Sequence, residues 1–299
     1  MVPVFPNFKE ITIDDRVHIE RIIRAYRPTT SEWTFTNLFM WRKYYGLRWA
    51  VVDETLFCVC EADPKRVYGF QPIGVRDRKT LFAFIEWLKR KTSSKKAIIE
   101  RADMRFVKEI LGTQNVSVFP QRDHFDYVYS RDDLAYLRGK RYRIPRNHIN
   151  RLLRIYPLEF QILERDHMEG CIEVHRRWVE KKKDPKDKSL VAEFEAVCEL
   201  FDNYEKLNLI GGVILLGKKV VAFSIGEMLN DTTMVVHVEK ADPEYPGLFS
   251  LINQKFSEIC AKDAIYINRE QDLGIPGLRR AKISYHPHHL EEKFRIEIE

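Results

Sequence analysis

The sequence predicts an α+β fold made of two units that share one order of elements. Three observations carry this. Residues 210–216, 220–227 and 232–239 read as strands, and the polar turns Gly217-Lys218-Lys219 and Asn230-Asp231 join them into a meander. Segments with helical spacing of apolar residues flank that meander. The first half runs through a similar order: two helices, paired strands, helix, strand, helix, strand. A length of 299 residues suits two domains, expected over 1–135 and 136–299.

Each element has a local reason. Residues 11–26 place Ile19, Ile22, Ile23 and Tyr26 near helical spacing, with Asp14 or Asp15 available as a cap. Pro28 interrupts the chain, and a second helix follows Ser31-Glu32 and stops at Gly46. Residues 49–52 and 55–60 read as strands around an Asp53-Glu54 turn, with 67–70 as a third. An amphipathic helix over 79–91, a strand at 97–100, a helix at 104–111 and strands at 116–119 and 125–129 complete this half. Pro145 suits the first turn of a central helix. Helices follow over 168–182 and 190–207, separated by the charged loop KKKDPKDK. After the meander, ADPEYPG leads into a helix over 248–259, a short strand at 264–267, a short helix and a terminal strand at 294–298.

Composition narrows the function classes. Hydrophobic residues make up 44% and aromatic residues 12%, which excludes a disordered chain. The N-terminus lacks a basic stretch followed by an apolar one, and no run of 18 apolar residues occurs. The five cysteines, Cys58, Cys60, Cys171, Cys198 and Cys260, are scattered and form no CxxC pair. They read as reduced thiols of a cytoplasmic protein. The net charge of +6 permits an anionic partner. There is no GxGxxG, Walker loop, GxSxG or HExxH, so nicotinamide, P-loop and serine-hydrolase chemistry have no support. His286-Pro287-His288-His289 lacks a fourth ligand at ordered spacing, and no metal is expected.

Three constellations remain. A buried strand ends at Ile267 and runs directly into Asn268, Arg269, Glu270, Gln271 and Asp272, with Arg279, Arg280 and Lys282 soon after. Polar groups at a strand end are placed to converge on a ligand. In the last strand of the meander, alternation puts His237 and Glu239 on one face, and Glu227 ends the neighbouring strand. A histidine with two carboxylates can bind an amine or deprotonate it. Between Leu134 and Leu158 lie seven basic residues and no acid, with Tyr142 and Tyr156 available for stacking. That pattern suits phosphate binding. The competing readings are structural: a capped loop, a packed histidine and a solvated helix face.

SEWTFTNLFMWR near the start, FSIGE and VVHVEKAD in the second half, and YINREQDLGIPGLRRAKISYHP near the end carry a family resemblance. Together they resemble the bacterial proteins related to the C-terminal domain of lysyl-phosphatidylglycerol synthase. The resemblance implies two GNAT-like acyltransferase units in tandem, with mixed, mostly antiparallel sheets flanked by helices and the active cleft in the C-terminal unit. It implies transfer of an aminoacyl group from aminoacyl-tRNA to an amine or hydroxyl acceptor. The acceptor could be a small molecule, a peptide or a lipid, and no resident cofactor is needed.

Under that reading Glu227, His237 and Glu239 do base work or bind an ammonium. Asn268, Arg269, Glu270 and Asp272 shape the amino-acid pocket, and Arg279 and Lys282 meet phosphate or carboxylate. Arg141, Arg143 and Arg146 hold tRNA phosphates. The stretch ADPEYPGLF departs from the usual coenzyme A loop: it has one glycine, Gly247, and two prolines that lack an N–H. A coenzyme A thioester is therefore the alternative donor, and a non-catalytic small-molecule or RNA-binding module the alternative function.

Overall fold

The computed structural model describes residues 1–74, 77–182 and 188–299; most of the expected KKKDPKDK loop lies outside them. The chain forms two compact units. One comprises Met1–Asp126, Gln271–Pro276 and Leu290–Glu299, and the other Tyr127–Glu270 and Gly277–His289.

The chain begins with β1 (Lys9–Glu10), α1 (Arg16–Tyr26), α2 (Phe35–Tyr45), β2 (Leu47–Val52), β3 (Thr55–Cys60), β4 (Tyr68–Phe70) and β5 (Ile73–Gly74). It continues through α3 (Arg78–Thr92), β6 (Ala97–Ala102), α4 (Met104–Ile110), β7 (Val116–Pro120), β8 (Asp126–Ser130), α5 (Arg131–Tyr136), α6 (Arg143–Ile155) and β9 (Leu158–Ile162). Then come α7 (Met168–Lys182), α8 (Lys188–Asp202), α9 (Tyr204–Leu207), β10 (Ile210–Leu216), β11 (Lys219–Met228) and β12 (Thr233–Ala241). The last elements are α10 (Leu248–Lys255), β13 (Tyr266–Asn268), α11 (Pro276–Ile283), β14 (His289–Glu291) and β15 (Phe294–Ile298).

Among the described residues, the first sheet has the order β1-β2-β3-β4-β6-β15-β7, with β5 also on β3. The second has the order β9-β10-β11-β12-β13-β8-β14. Each contains an antiparallel stretch and then one parallel pair, β4 with β6 and β12 with β13. An antiparallel strand follows in each, β15 on β6 and β8 on β13. The topology thus repeats, and in each sheet that following strand comes from a distant part of the sequence. This explains why the units differ from 1–135 and 136–299. Residues 127–135 go with the second sheet through β8, and the C-terminal strand β15 completes the first.

Local chemistry sets the helix ends. Thr34, Asp77 and Asp103 cap α2, α3 and α4, accepting from Asn37, Thr80 and Phe106 N–H at 3.0, 2.7 and 2.8 Å. α2 stops at Gly46, whose φ is +58° and where a Cβ would lie 2.5 Å from Ala62 N. The expected helix over 190–207 is two, α8 and α9, and the expected helix over 248–259 ends in a π-helical turn, Phe256–Cys260. Strand β9 was not expected; it is the short alternating run Leu158-Glu159-Phe160-Gln161-Ile162 that follows the basic segment. Each unit has its own core, with Phe57, Phe84, Ile99 and Phe106 in the first and Leu152, Ile214, Val221 and Leu251 in the second. No helix among the described residues is long and apolar enough to cross a membrane.

The first unit also buries charge. Lys293, without exposed surface, places Nζ 2.6 Å from Asp126 Oδ1 and 2.7 Å from Glu32 Oε2. Asp126 in turn accepts from Ser31 N–H at 2.7 Å, and Arg101 lies 3.4 Å from Glu32. Burial alone would lower the Lys293 pKa, but Asp126 and Glu32 together raise it. Removing one partner of such a group strands the others without water. Lys293→Met should therefore cost about 3–5 kcal/mol in urea unfolding, and adding Asp126→Asn should recover part of it. A loss under about 1 kcal/mol would mean that water reaches the cluster.

Candidate active site

Strand β12 supplies the centre of the candidate site, and an irregularity in it decides what it presents. Ile225 of β11 pairs with Val238, but the next residue, Gly226, pairs with Val236. His237 is the extra residue of a bulge, a device that re-aims a side chain. Position 226 must be glycine, because a Cβ there would lie 2.2 Å from the Val235 carbonyl oxygen.

His237 is gripped from both sides. Its Nε2 is 2.9 Å from Glu227 Oε1 and its Nδ1 is 3.0 Å from Glu270 Oε1. Glu227 comes from β11 and Glu270 from the turn after β13, the two neighbours of β12 in the sheet. The imidazole is 0% exposed, whereas the carboxylates are 12% and 18% exposed. The negative groups are thus the ones a ligand can reach. Burial alone would lower the imidazole pKa, but hydrogen bonds to Glu227 and Glu270 and their charge raise it to about 9. The ring is an imidazolium at neutral pH and donates from both nitrogens. Any base work at this point would fall to the carboxylates.

Glu239 follows two residues later on the same face. Its Oε1 accepts from Arg269 Nη2 at 2.7 Å and its Oε2 from Asn253 Nδ2 at 3.3 Å. The Arg269 guanidinium lies 5.7 and 5.3 Å from the rings of Tyr129 and Tyr285, and Tyr285 donates its hydroxyl to Ser250 Oγ at 2.9 Å. On the opposite face of β12, Lys240 pairs with Glu193 at 2.8 Å and sits over Trp178.

The other expected site residues divide. Asn268 is fully buried and accepts the Glu270 N–H at 2.8 Å, so it shapes the turn rather than meeting a ligand. Lys282 is also buried; it donates to the Arg269 and Glu270 carbonyls, which replaces the expected phosphate or carboxylate contact. Asp272 belongs to the first unit, where it pairs with Arg122 at 3.2 Å and accepts from Gly274 N–H at 2.8 Å. Arg279 is partly exposed on α11.

Of the basic residues, Arg141 pairs with Asp133 at 2.7 Å. Arg146 donates to the carbonyls of Leu137 and Gly139, a clamp on the turn before α6. Arg143, Arg151 and Arg154 are exposed.

Sequence reasoning missed Tyr129, Asn253 and Ser250, which come from a core strand and an amphipathic helix and carry no local mark. Among the described residues, no group of three or more His, Cys, Asp or Glu side chains could hold a metal ion.

The raised His237 pKa has a consequence for stability. Its contribution is fully present below the ordinary value of 6.5 and is lost as pH rises through about 9. Between pH 6 and pH 10 the wild type should lose roughly 3 kcal/mol relative to His237→Gln. Urea unfolding of both proteins across that range measures the difference, and parallel curves would contradict the ion-paired geometry.

The family described as "Phosphatidylglycerol lysyltransferase, C-terminal" matches residues 23–297. A conserved protein of unknown function from Bacteroides thetaiotaomicron is 32% identical with a TM-score of 0.90, covering 100% of both chains. The C-terminal domain of a putative lysylphosphatidylglycerol synthetase from Agrobacterium fabrum has a TM-score of 0.64 at 13% identity, covering 96% of this chain and 92% of that one. FemX has a TM-score of 0.61 at 8% identity, covering 97% and 96%. No curated protein sequence matches the chain. The fold is the tandem GNAT-like one, with two mixed sheets flanked by helices. The match over residues 23–297 and the similarity at 32% identity over the full length agree, and the chain belongs to the phosphatidylglycerol lysyltransferase C-terminal family.

Proposed function

We propose that this protein is an acyltransferase that moves an aminoacyl group from aminoacyl-tRNA to an amine or hydroxyl acceptor. The observation that carries the reading is the pair of partly exposed carboxylates, Glu227 and Glu270, fixed on either side of a charged His237. One carboxylate takes a proton from the acceptor nitrogen or oxygen. The freed lone pair attacks the ester carbonyl carbon and a C–N or C–O bond forms. The ester C–O bond then breaks, and the ribose oxygen leaves with the proton that the carboxylate collected. Arg269 neutralises Glu239 beside this site, so carboxylates on one face do not repel one another.

The choice of donor is supported by the loop before α10. A coenzyme A pyrophosphate needs free backbone N–H groups at such a helix start. Here the Asp242, Tyr245 and Leu248 N–H groups bond to the carbonyls of Val221, Asp242 and Tyr245. The Glu244 N–H bonds to Asp242 Oδ1, and Pro243 and Pro246 have none. A Cβ on Gly247 would lie 2.9 Å from the His148 carbonyl oxygen, so an acceptor of hydrogen bonds crowds the same place. The family name, which speaks of lysyl transfer, supports an aminoacyl donor. The tRNA backbone would meet Arg143 together with Arg141 and Arg146 beside it. The last two keep their internal bonds and contribute charge.

Glu227→Gln and Glu270→Gln should each slow transfer by about 100-fold or more, measured with labelled aminoacyl-tRNA and a panel of amine and hydroxyl acceptors. Transfer from coenzyme A thioesters alone would overturn the donor assignment. Binding without transfer from either donor would make the protein a binding module.

Affinity for tRNA should fall with salt at a log–log slope of roughly 0.7–0.9 per phosphate contacted. Arg143→Ala should flatten that slope by about one contact; an unchanged slope would move the RNA footprint elsewhere.

A further inference from the structure

Glu270 reaches His237 from a backbone that a glutamate rarely adopts. Its φ is +57°, in the left-handed region. For a residue with a side chain this conformation costs roughly 1–2 kcal/mol. It persists only where neighbouring groups over-determine it. Three groups do so here, all from the second unit. The Asn268 side chain accepts the Glu270 N–H at 2.8 Å. The Tyr127 N–H donates to the Glu270 carbonyl at 3.1 Å. Lys282 Nζ donates to the Arg269 carbonyl and, at 3.3 Å, to that of Glu270.

Two successive carbonyls turned toward one ammonium are what a left-handed residue at this turn produces. Lys282 is itself held, since its ring contact with Tyr127 is 5.8 Å and its own carbonyl accepts the Tyr129 hydroxyl at 2.8 Å. It therefore has a fixed place from which to grip the turn. Released, residue 270 would relax to negative φ, and its carboxylate would swing away from His237 Nδ1.

We propose that Lys282 is a positioning residue for the proposed transfer, holding Glu270 in its left-handed conformation so that the carboxylate meets His237, with Asn268 as its co-clamp. Lys282 acts through the backbone and does not touch substrate. The inference rests on the proposed function only for its catalytic consequence; the positioning itself can be read without substrate.

The test is the titration of His237 followed by NMR of ring-labelled histidine, with His237→Gln used to assign the signal. The wild-type midpoint should lie near 9. Glu270→Gln sets the value with one carboxylate lost. Lys282→Met should shift the midpoint down toward that of Glu270→Gln, by a unit or more, and Lys282→Arg should restore most of it. A folded Lys282→Met protein whose His237 midpoint matches wild type would overturn the proposal. Should Lys282→Met not fold, Asn268→Ala is read in the same way, and an unshifted midpoint there overturns it equally. Loss of transfer without a shift in the midpoint would also count against Lys282 as the positioning group. Because the NMR readout needs no substrate, a shifted midpoint in a protein that transfers nothing would sink the transferase reading and leave the clamp standing.

Discussion

The Lys293 ammonium lies 2.6 Å from Asp126 and 2.7 Å from Glu32 with no exposed surface, and the first unit is arranged around that cation. Lys293 immediately precedes β15, the strand inserted between β6 and β7. Asp126 stands at the start of β8, and Ser31 and Glu32 belong to the segment that leads into α2. One charge thus ties together three stretches of chain that are far apart in sequence. An ammonium cannot be left dry without carboxylates, and carboxylates cannot be left dry without it. The placement of each therefore fixes the other two. The SEW segment, which carries part of the family resemblance, has its physical explanation here: Ser31 and Glu32 serve the buried cation.

The second unit uses the same arrangement of a buried cation between two carboxylates, with one difference in exposure. Around Lys293 the carboxylates of Glu32 and Asp126 are 3% and 0% exposed. Around His237 those of Glu227 and Glu270 are 12% and 18% exposed. A carboxylate that solvent reaches can exchange a proton or accept a ligand, and one sealed from it cannot. The bulge at His237, the glycine at 226 and the left-handed turn at Glu270 lie at this group, while the Lys293 cluster has a left-handed Arg101 and a register shift between β15 and β6 after Phe294.

The loop before α10 bears on the proposed choice of donor. In this loop the backbone N–H groups that would otherwise be open to a phosphate close on carbonyls and on Asp242. Two prolines remove further donors, and the His148 carbonyl stands against Gly247. The Asp242, Glu244, Tyr245 and Leu248 N–H groups are thereby engaged within the protein.

Much of the fold was legible in the sequence because its signals are local. The meander, the helices and the stop at Gly46 follow from alternation, helical spacing and a positive φ, each set within a few residues, whereas the caps at Thr34, Asp77 and Asp103 were not picked out. The candidates Glu227, His237 and Glu270 were legible too, as polar groups at strand ends and on one strand face. Pairing across sequence was not. Nothing in residues 126–130 or 294–298 says which sheet each strand will join, since a strand's hydrogen bonds are unsatisfied until a neighbour is chosen. Lys282 and Asp272 both read as ligand-binding residues, because sequence shows their charge but not their burial. Only the tertiary structure turned Lys282 onto two backbone carbonyls and gave Asp272 to Arg122. Residue type and local pattern thus set the elements and the list of charged groups. Which of those groups meet, and which stay in reach of solvent, was decided by packing, where each buried charge must find its opposite.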